Sequence, residues 1–306
     1  MKREVTIIMT RSPDLFLESV QYGLQWLKER GFATSVSTHR GENIHRIKVS
    51  LAGEGTLALF RDDDVDYIFK YHLAENLSEV IIAQWETELI QREILRRFKK
   101  RPLEEQVRLL NKARDFLQKD SESEIQLLLR LGRRNRITDK VFAYLYTQGN
   151  NTIILEGFIN FCLGDYFKEI RLALELASEE IKNEKEYQEF VNLLKYFVDS
   201  EPPKKNEVNV MLSPDGSFRI WDQEGREIEE DFIEYYWEDL AADEITLDDL
   251  LISILISIAP RRLVVHRRSE RLLSDEYLTL LFQVFAGRIV MCTGCDVCSK
   301  SLVTHK

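Results

Sequence analysis

The sequence predicts an α+β fold, mainly helical, and three observations carry that prediction. Glycine and proline are scarce, at 13 and 6 in 306 residues, which favours long helices over a turn-rich sheet sandwich. Between about residues 66 and 200, apolar residues recur at three- and four-residue spacing with little interruption. On either side of that stretch, short runs alternate or carry β-branched residues between turn signals. The expected organisation is a small β-α-β-β unit over 1–65 and a helical body over 66–200. A C-terminal α/β domain over 206–306 follows, with a hairpin, a βαβ unit and a Cys-rich tail.

The elements follow in order. Residues 4–10 alternate enough for a strand. Ser12-Pro13 then opens a helix, with Ser12 as its cap, Phe16, Val20, Leu24 and Leu27 on one face and Gly31 as its stop. Strands over 33–39 and 45–51 complete the first unit. Tyr67, Tyr71, Ala74, Leu77 and Ile81 share a helical face that Trp85, Leu89, Ile94 and Phe98 continue. Pro102 breaks that pattern and starts a helix over 103–118. Shorter helices are expected over 122–131 and 138–146, a turn at Gly149-Asn150-Asn151, and amphipathic helices over 157–181 and 185–198. Glu201-Pro202-Pro203-Lys204-Lys205 reads as the linker. After it, strands over 208–212 and 218–221 flank Pro214-Asp215-Gly216, a strong hairpin signal. A helix over 246–258 ends at Pro260, a buried-type strand covers 263–266, a helix covers 275–285, and a last strand covers 289–291. The 250–259 helix has no polar face wide enough for water and is expected to be buried on nearly all sides.

Composition narrows the function classes. The longest apolar run, 250–259, is half of the roughly 20 residues that cross a bilayer, so no transmembrane segment is expected. Residues 1–10 read as a strand and not as a signal peptide. Four cysteines, three of them close together, are not a secreted disulfide framework. The protein is expected to be cytoplasmic. Net charge is −10 but uneven: residues 92–140 carry +7 and residues 201–250 carry −12.

Several blocks in the later half resemble a known family. These are Leu155-Glu156-Gly157-Phe158-Ile159-Asn160-Phe161, then Lys185-Glu186-Tyr187-Gln188-Glu189-Phe190 with Leu193-Leu194-Lys195-Tyr196-Phe197-Val198. The strongest is Asp249-Leu250-Leu251-Ile252-Ser253-Ile254-Leu255-Ile256-Ser257-Ile258-Ala259-Pro260 followed by Val264-Val265-His266. In this order they resemble the sporulation protein YtxC family. The chain departs from that pattern at Cys162, where a basic residue is expected. The resemblance implies a setting in endospore formation and brings no activity, substrate or catalytic residue with it.

The chemistry-bearing residues are few. Cys292, Cys295 and Cys298 are spaced so that a tight turn, eased by Thr293-Gly294, gathers their sulfurs around one soft ion. The spacing matches the first three cysteines of an iron–sulfur run, but Leu302 stands where the fourth would fall. His266, His305 and Cys162 are candidate fourth ligands. Topology favours His266: if strands 263–266 and 289–291 are parallel neighbours, both end on one edge of the sheet. Zinc or an iron–sulfur cluster is the cofactor this implies; the alternatives are redox-active thiols and three unliganded thiols on a loose tail.

A second cluster, Arg92, Arg96, Arg97, Lys99, Lys100 and Arg101, is either a phosphate-binding surface for nucleic acid or a helix C-terminus that favours cations through its dipole. No nucleic-acid-reading module accompanies it. Acids at 229–244 interleave with Phe232, Tyr235, Tyr236 and Trp237, as a charged face over an aromatic stripe or a partner-binding helix would. There is no phosphate loop, nucleophile elbow or paired-histidine zinc helix. The expectation is a non-enzymatic protein with an unidentified protein partner, a metal-binding module being the alternative.

Overall fold

The computed structural model describes residues 3–53, 62–118, 124–212, 218–228, 247–267, 275–296 and 298. They form two compact units, Met1–Lys182 and Asn183–Lys306.

Unit 1 opens with strand β1 (Arg3–Met9), helix α1 (Asp14–Glu29), and strands β2 (Ala33–Arg40) and β3 (His45–Ala52). The expected β-α-β-β unit is present. Val5, Ile7 and Met9 alternate inward along β1, and Phe16, Val20, Leu24 and Leu27 of α1 are equally buried. Gly31, at φ 86°, closes α1, and the N–H of Phe32 donates back to the Leu27 carbonyl.

Helix α2 (Asp62–Arg97) follows, then α3 (Leu103–Gln118) and α4 (Glu124–Phe142), the last running into a π turn over Ala143–Thr147. α2 packs against α1, α3 and α4. It therefore buries residues on several sides, among them Phe69, Leu73, Leu77, Ile81, Trp85 and Ile90. The two short helices expected over 122–131 and 138–146 are one continuous helix, because Gly132 weakens the middle of a helix without ending it.

A short strand that the sequence did not predict, β4 (Thr152–Ile154), pairs in parallel with β1. The sheet order is β2-β3-β1-β4. α5 (Leu155–Cys162) and α6 (Gly164–Ser200) complete the helical part. α6 runs straight through the break expected near residue 183, where neither glycine nor proline interrupts it.

Unit 2 takes Val191 and Val198 of α6 into its core. Its sheet holds β5 (Glu207–Leu212), β6 (Phe218–Asp222), β7 (Arg262–Arg267) and β8 (Ile289–Met291) in the order β6-β5-β7-β8. β5 and β6 form the expected antiparallel hairpin; its turn lies outside the described residues. β7 is parallel to both β5 and β8, with α7 (Leu247–Ile258) and α8 (Asp275–Val284) as the crossovers. Leu250, Leu251, Ile254 and Leu255 are buried, and no residue over 250–260 is exposed, as its apolar composition requires. Ala259 ends α7 in the left-handed region, φ 46°, ahead of Pro260. Val208, Val210, Ile220, Leu263 and Val265 face this core. Strand alternation therefore gives the other face of the sheet to Asn209, Met211, Trp221, Val264 and His266.

Among the described residues, no helix is long and apolar enough to cross a membrane.

Candidate metal centre

The parallel register builds the site. Leu263, Val264 and Val265 of β7 pair with Ile289, Val290 and Met291 of β8. The next residues, His266 and Cys292, therefore reach the same level at the C-terminal edge of the sheet. The N–H of Cys292 donates to the Val265 carbonyl at 2.8 Å, so the ladder continues one residue past the strand. Gly294, at φ 120°, then turns the chain in a conformation that a side chain would strain. Cys295 and Cys298 follow on the returning segment.

The result is a convergent set. One ligand atom from each of His266, Cys292, Cys295 and Cys298 lies within 4.8 Å of every other. The Cys295 and Cys298 sulfurs are 3.7 Å apart, and those of Cys298 and Cys292 are 3.9 Å apart. Nδ1 of His266 is 3.5 Å from both Cys295 and Cys298. A tetrahedral zinc with bonds of about 2.3 Å to sulfur and about 2.0–2.1 Å to nitrogen separates its sulfurs by about 3.8 Å and nitrogen from sulfur by about 3.5 Å. Four of the six separations in the group lie close to those values, and all six are within 4.8 Å. All four cysteines are free thiols.

The surroundings are those of a metal-binding imidazole. His266 is 6% exposed, and its other nitrogen, Nε2, is 3.0 Å from Asn209 Oδ1. The Trp221 ring lies against it, centroid to centroid 5.1 Å, at a tilt of 31°. Burial holds the imidazole below its ordinary pKa, against the opposing field of Glu207, and keeps it neutral as a ligand must be. Burial likewise pushes the Cys298 thiol up to about 11; the N–H of Cys295 opposes this, and the two neighbouring thiols add to it. A divalent cation among the sulfurs would supply the charge that reverses this for Cys298.

The other candidates fall elsewhere. Cys162 packs against the core of unit 1, while the four-residue group belongs to unit 2. His305 and the acidic-aromatic segment 229–244 lie outside the described residues. In the basic run, Arg92 donates to Asn160 Oδ1 at 2.8 Å and covers the Phe167 ring. Arg96 pairs with Glu93 at 3.7 Å and Arg97 with Glu175 at 2.7 Å. Arg101 donates to Ser178 Oγ at 2.8 Å, pairs with Glu105 and lies over Phe98, while Lys100 is exposed. Sequence reasoning did not single out Asn209 and Trp221. Neither carries a signal until the register places both against His266.

Residues 71–290 match the YtxC-like family. The uncharacterized protein YtxC of Bacillus subtilis (strain 168) is 30% identical over 165 residues, which are 53% of this chain. That alignment spans 57% of the relative, so the chain matches little more than half of its length. No solved structure matches. The chain belongs to the YtxC-like family. The matched stretch includes His266 and Asn209 and ends just before Cys292.

Proposed function

We propose that this member of the YtxC-like family is a non-enzymatic cytoplasmic protein of endospore formation whose C-terminal unit is held together by a structural zinc ion on His266, Cys292, Cys295 and Cys298. The observation that carries the metal reading is the set of separations, 3.5 Å from nitrogen to two sulfurs and 3.7 and 3.9 Å between sulfurs. They fit one small tetrahedral ion. A [4Fe–4S] cluster puts each thiolate on a different iron and a [2Fe–2S] cluster divides its ligands in pairs between two irons, so three sulfurs and one nitrogen converging within 4.8 Å favour a single ion.

Three sulfurs and one nitrogen complete a tetrahedron and leave no open position for water or substrate. Closed sites of this kind stabilise structure, whereas catalytic zinc keeps a position free. The centre would join the end of β7 to the segment after β8 and so fix residues 292–298 against the sheet. In this reading zinc sets the fold of unit 2, and the working surface is one that a protein partner recognises. The endospore setting is supported by the family alone. A nucleic-acid role is less well supported, because Arg92, Arg96, Arg97 and Arg101 are engaged within unit 1.

Elemental analysis of protein purified anaerobically tests the metal. One zinc per chain is expected in the wild type, with loss in Cys295→Ser. A wild type without stoichiometric metal overturns the reading. Heat-resistant spore yield in a strain carrying Cys295→Ser tests the setting: a yield equal to that of wild type argues against a zinc-dependent role in sporulation.

A further inference from the structure

We infer that Asn209 is a positioning residue of this centre: it fixes the tautomer of His266 so that Nδ1 binds the metal. The inference rests on the metal reading above and adds a residue, a tautomer and a binding nitrogen to it.

A neutral imidazole has one nitrogen with a proton and one with a lone pair, and the partner of the first decides which is which. His266 Nε2 faces the side-chain oxygen of Asn209 at 3.0 Å, and His266 Nδ1 faces two sulfurs at 3.5 Å. An amide oxygen only accepts, so Nε2 carries the proton and donates it. Nδ1 is then left with the lone pair, aimed at the point where the thiol sulfurs converge.

The orientation of the amide is itself determined. Nδ2 of Asn209 donates to Glu207 Oε1 at 3.4 Å. Turning the amide over would set its oxygen against the Glu207 carboxylate and its NH₂ against the ring. Two acceptors would then face each other, and the imidazole would be driven to the wrong tautomer. Glu207 is in turn paired with Arg262 Nη1 at 3.4 Å, directly across the parallel register. A chain of polar contacts therefore runs Arg262, Glu207, Asn209, His266, and all four residues sit on the neighbouring strands β5 and β7.

Nothing in the packing of β5 calls for an amide here. Asn209 is 8% exposed, on the sheet face opposite the hydrophobic core of unit 2. Asparagine is a poor strand former, and a buried amide costs free energy unless bonded. Its bonds to His266 and Glu207 account for both ends of it. Trp221, its partner in the antiparallel register, lies against the imidazole at a tilt of 31°.

Two measurements test this. In the zinc-loaded wild type, long-range proton–nitrogen correlation should show the His266 proton on Nε2 and the metal on Nδ1. The opposite assignment overturns the inference. Zinc affinity is then measured by competition with a chromophoric chelator. Asn209→Leu, which keeps the volume and loses the acceptor, should bind about 10- to 100-fold more weakly. Asn209→Asp, which restores an oxygen, should recover most of that loss. A wild type that binds no zinc overturns the centre itself. A wild type that binds zinc, with a folded Asn209→Leu of equal affinity, overturns only the role of Asn209. Should Asn209→Leu fail to fold, the assignment in the wild type still decides.

Discussion

The polar cluster around Glu86 in unit 1 and the one around His266 in unit 2 are built in opposite ways. In unit 1, Glu86 of α2 is fully buried, and three side chains donate to its carboxylate: Gln118 at 2.8 Å, Arg133 at 3.0 Å and Tyr166 at 2.6 Å. Arg133 also donates to the Leu117 carbonyl. One buried anion meets one buried cation, and hydrogen bonds from α3, α4 and α6 complete the set. In unit 2, the buried imidazole and its three thiols form a group with no cation of its own. The first cluster is closed by the chain; the second offers four ligand atoms that, in the proposed reading, an ion would complete. The difference teaches that burial with matched charges marks architecture, whereas convergent ligand atoms around a buried imidazole, with no countercharge among them, are what the metal reading requires.

This contrast can be broken at several points. The largest effect is expected in unit 1. Arg133→Met strands the Glu86 carboxylate in the interior and should cost about 3–5 kcal/mol in urea unfolding, with or without chelator. A loss under about 1 kcal/mol would mean that the pair behaves as a surface ion pair, and the closed-cluster account would fail. In unit 2, Leu255→Ala opens a cavity beneath the sheet and should cost about 2–5 kcal/mol, read from the same denaturation curves. Tyr166→Phe removes one charge-assisted hydrogen bond and leaves two donors on Glu86; about 1.5–3 kcal/mol is expected.

The smallest effect sharpens the comparison by pH. Burial alone would raise the Asp222 carboxyl, but hydrogen bonds from Lys205 and the Arg226 N–H, with the charges of both side chains, outweigh it and hold the group down to about 2. Its pKa is lower in the folded state than in the unfolded chain, so its contribution is present above an unfolded value of about 3.9 and is lost as pH falls towards about 2. Asp222→Asn should flatten the acid limb of the unfolding profile in that window and leave neutral-pH zinc content unchanged.

Much of the site could be read from the sequence because its parts are local. The hairpin carries Pro214-Asp215-Gly216, and a short apolar run ending in His266 precedes a helix and the 289–291 strand. From these, parallel pairing follows, and with it the meeting of His266 and Cys292. What escaped is non-local or has no distinctive pattern. Ile153 and Ile154 lie between the expected turn at 149–151 and the helix expected from 157, and only the distant partner β1 makes them a strand. The break expected between 131 and 138 is not there, since the one glycine in it, Gly132, does not terminate a helix. Glu86, Arg133 and Tyr166 come from three separate helices, and nothing in their spacing announces that they meet. Asn209 is one polar residue in an alternating strand and acquires meaning only through its register.

X-ray absorption at the zinc edge, on protein purified anaerobically, tests the metal centre most directly. The account predicts a first shell of three sulfurs at about 2.3 Å and one nitrogen at about 2.0–2.1 Å, with no metal neighbour. A shell of oxygen and nitrogen only, or a protein with no zinc to absorb, would contradict it.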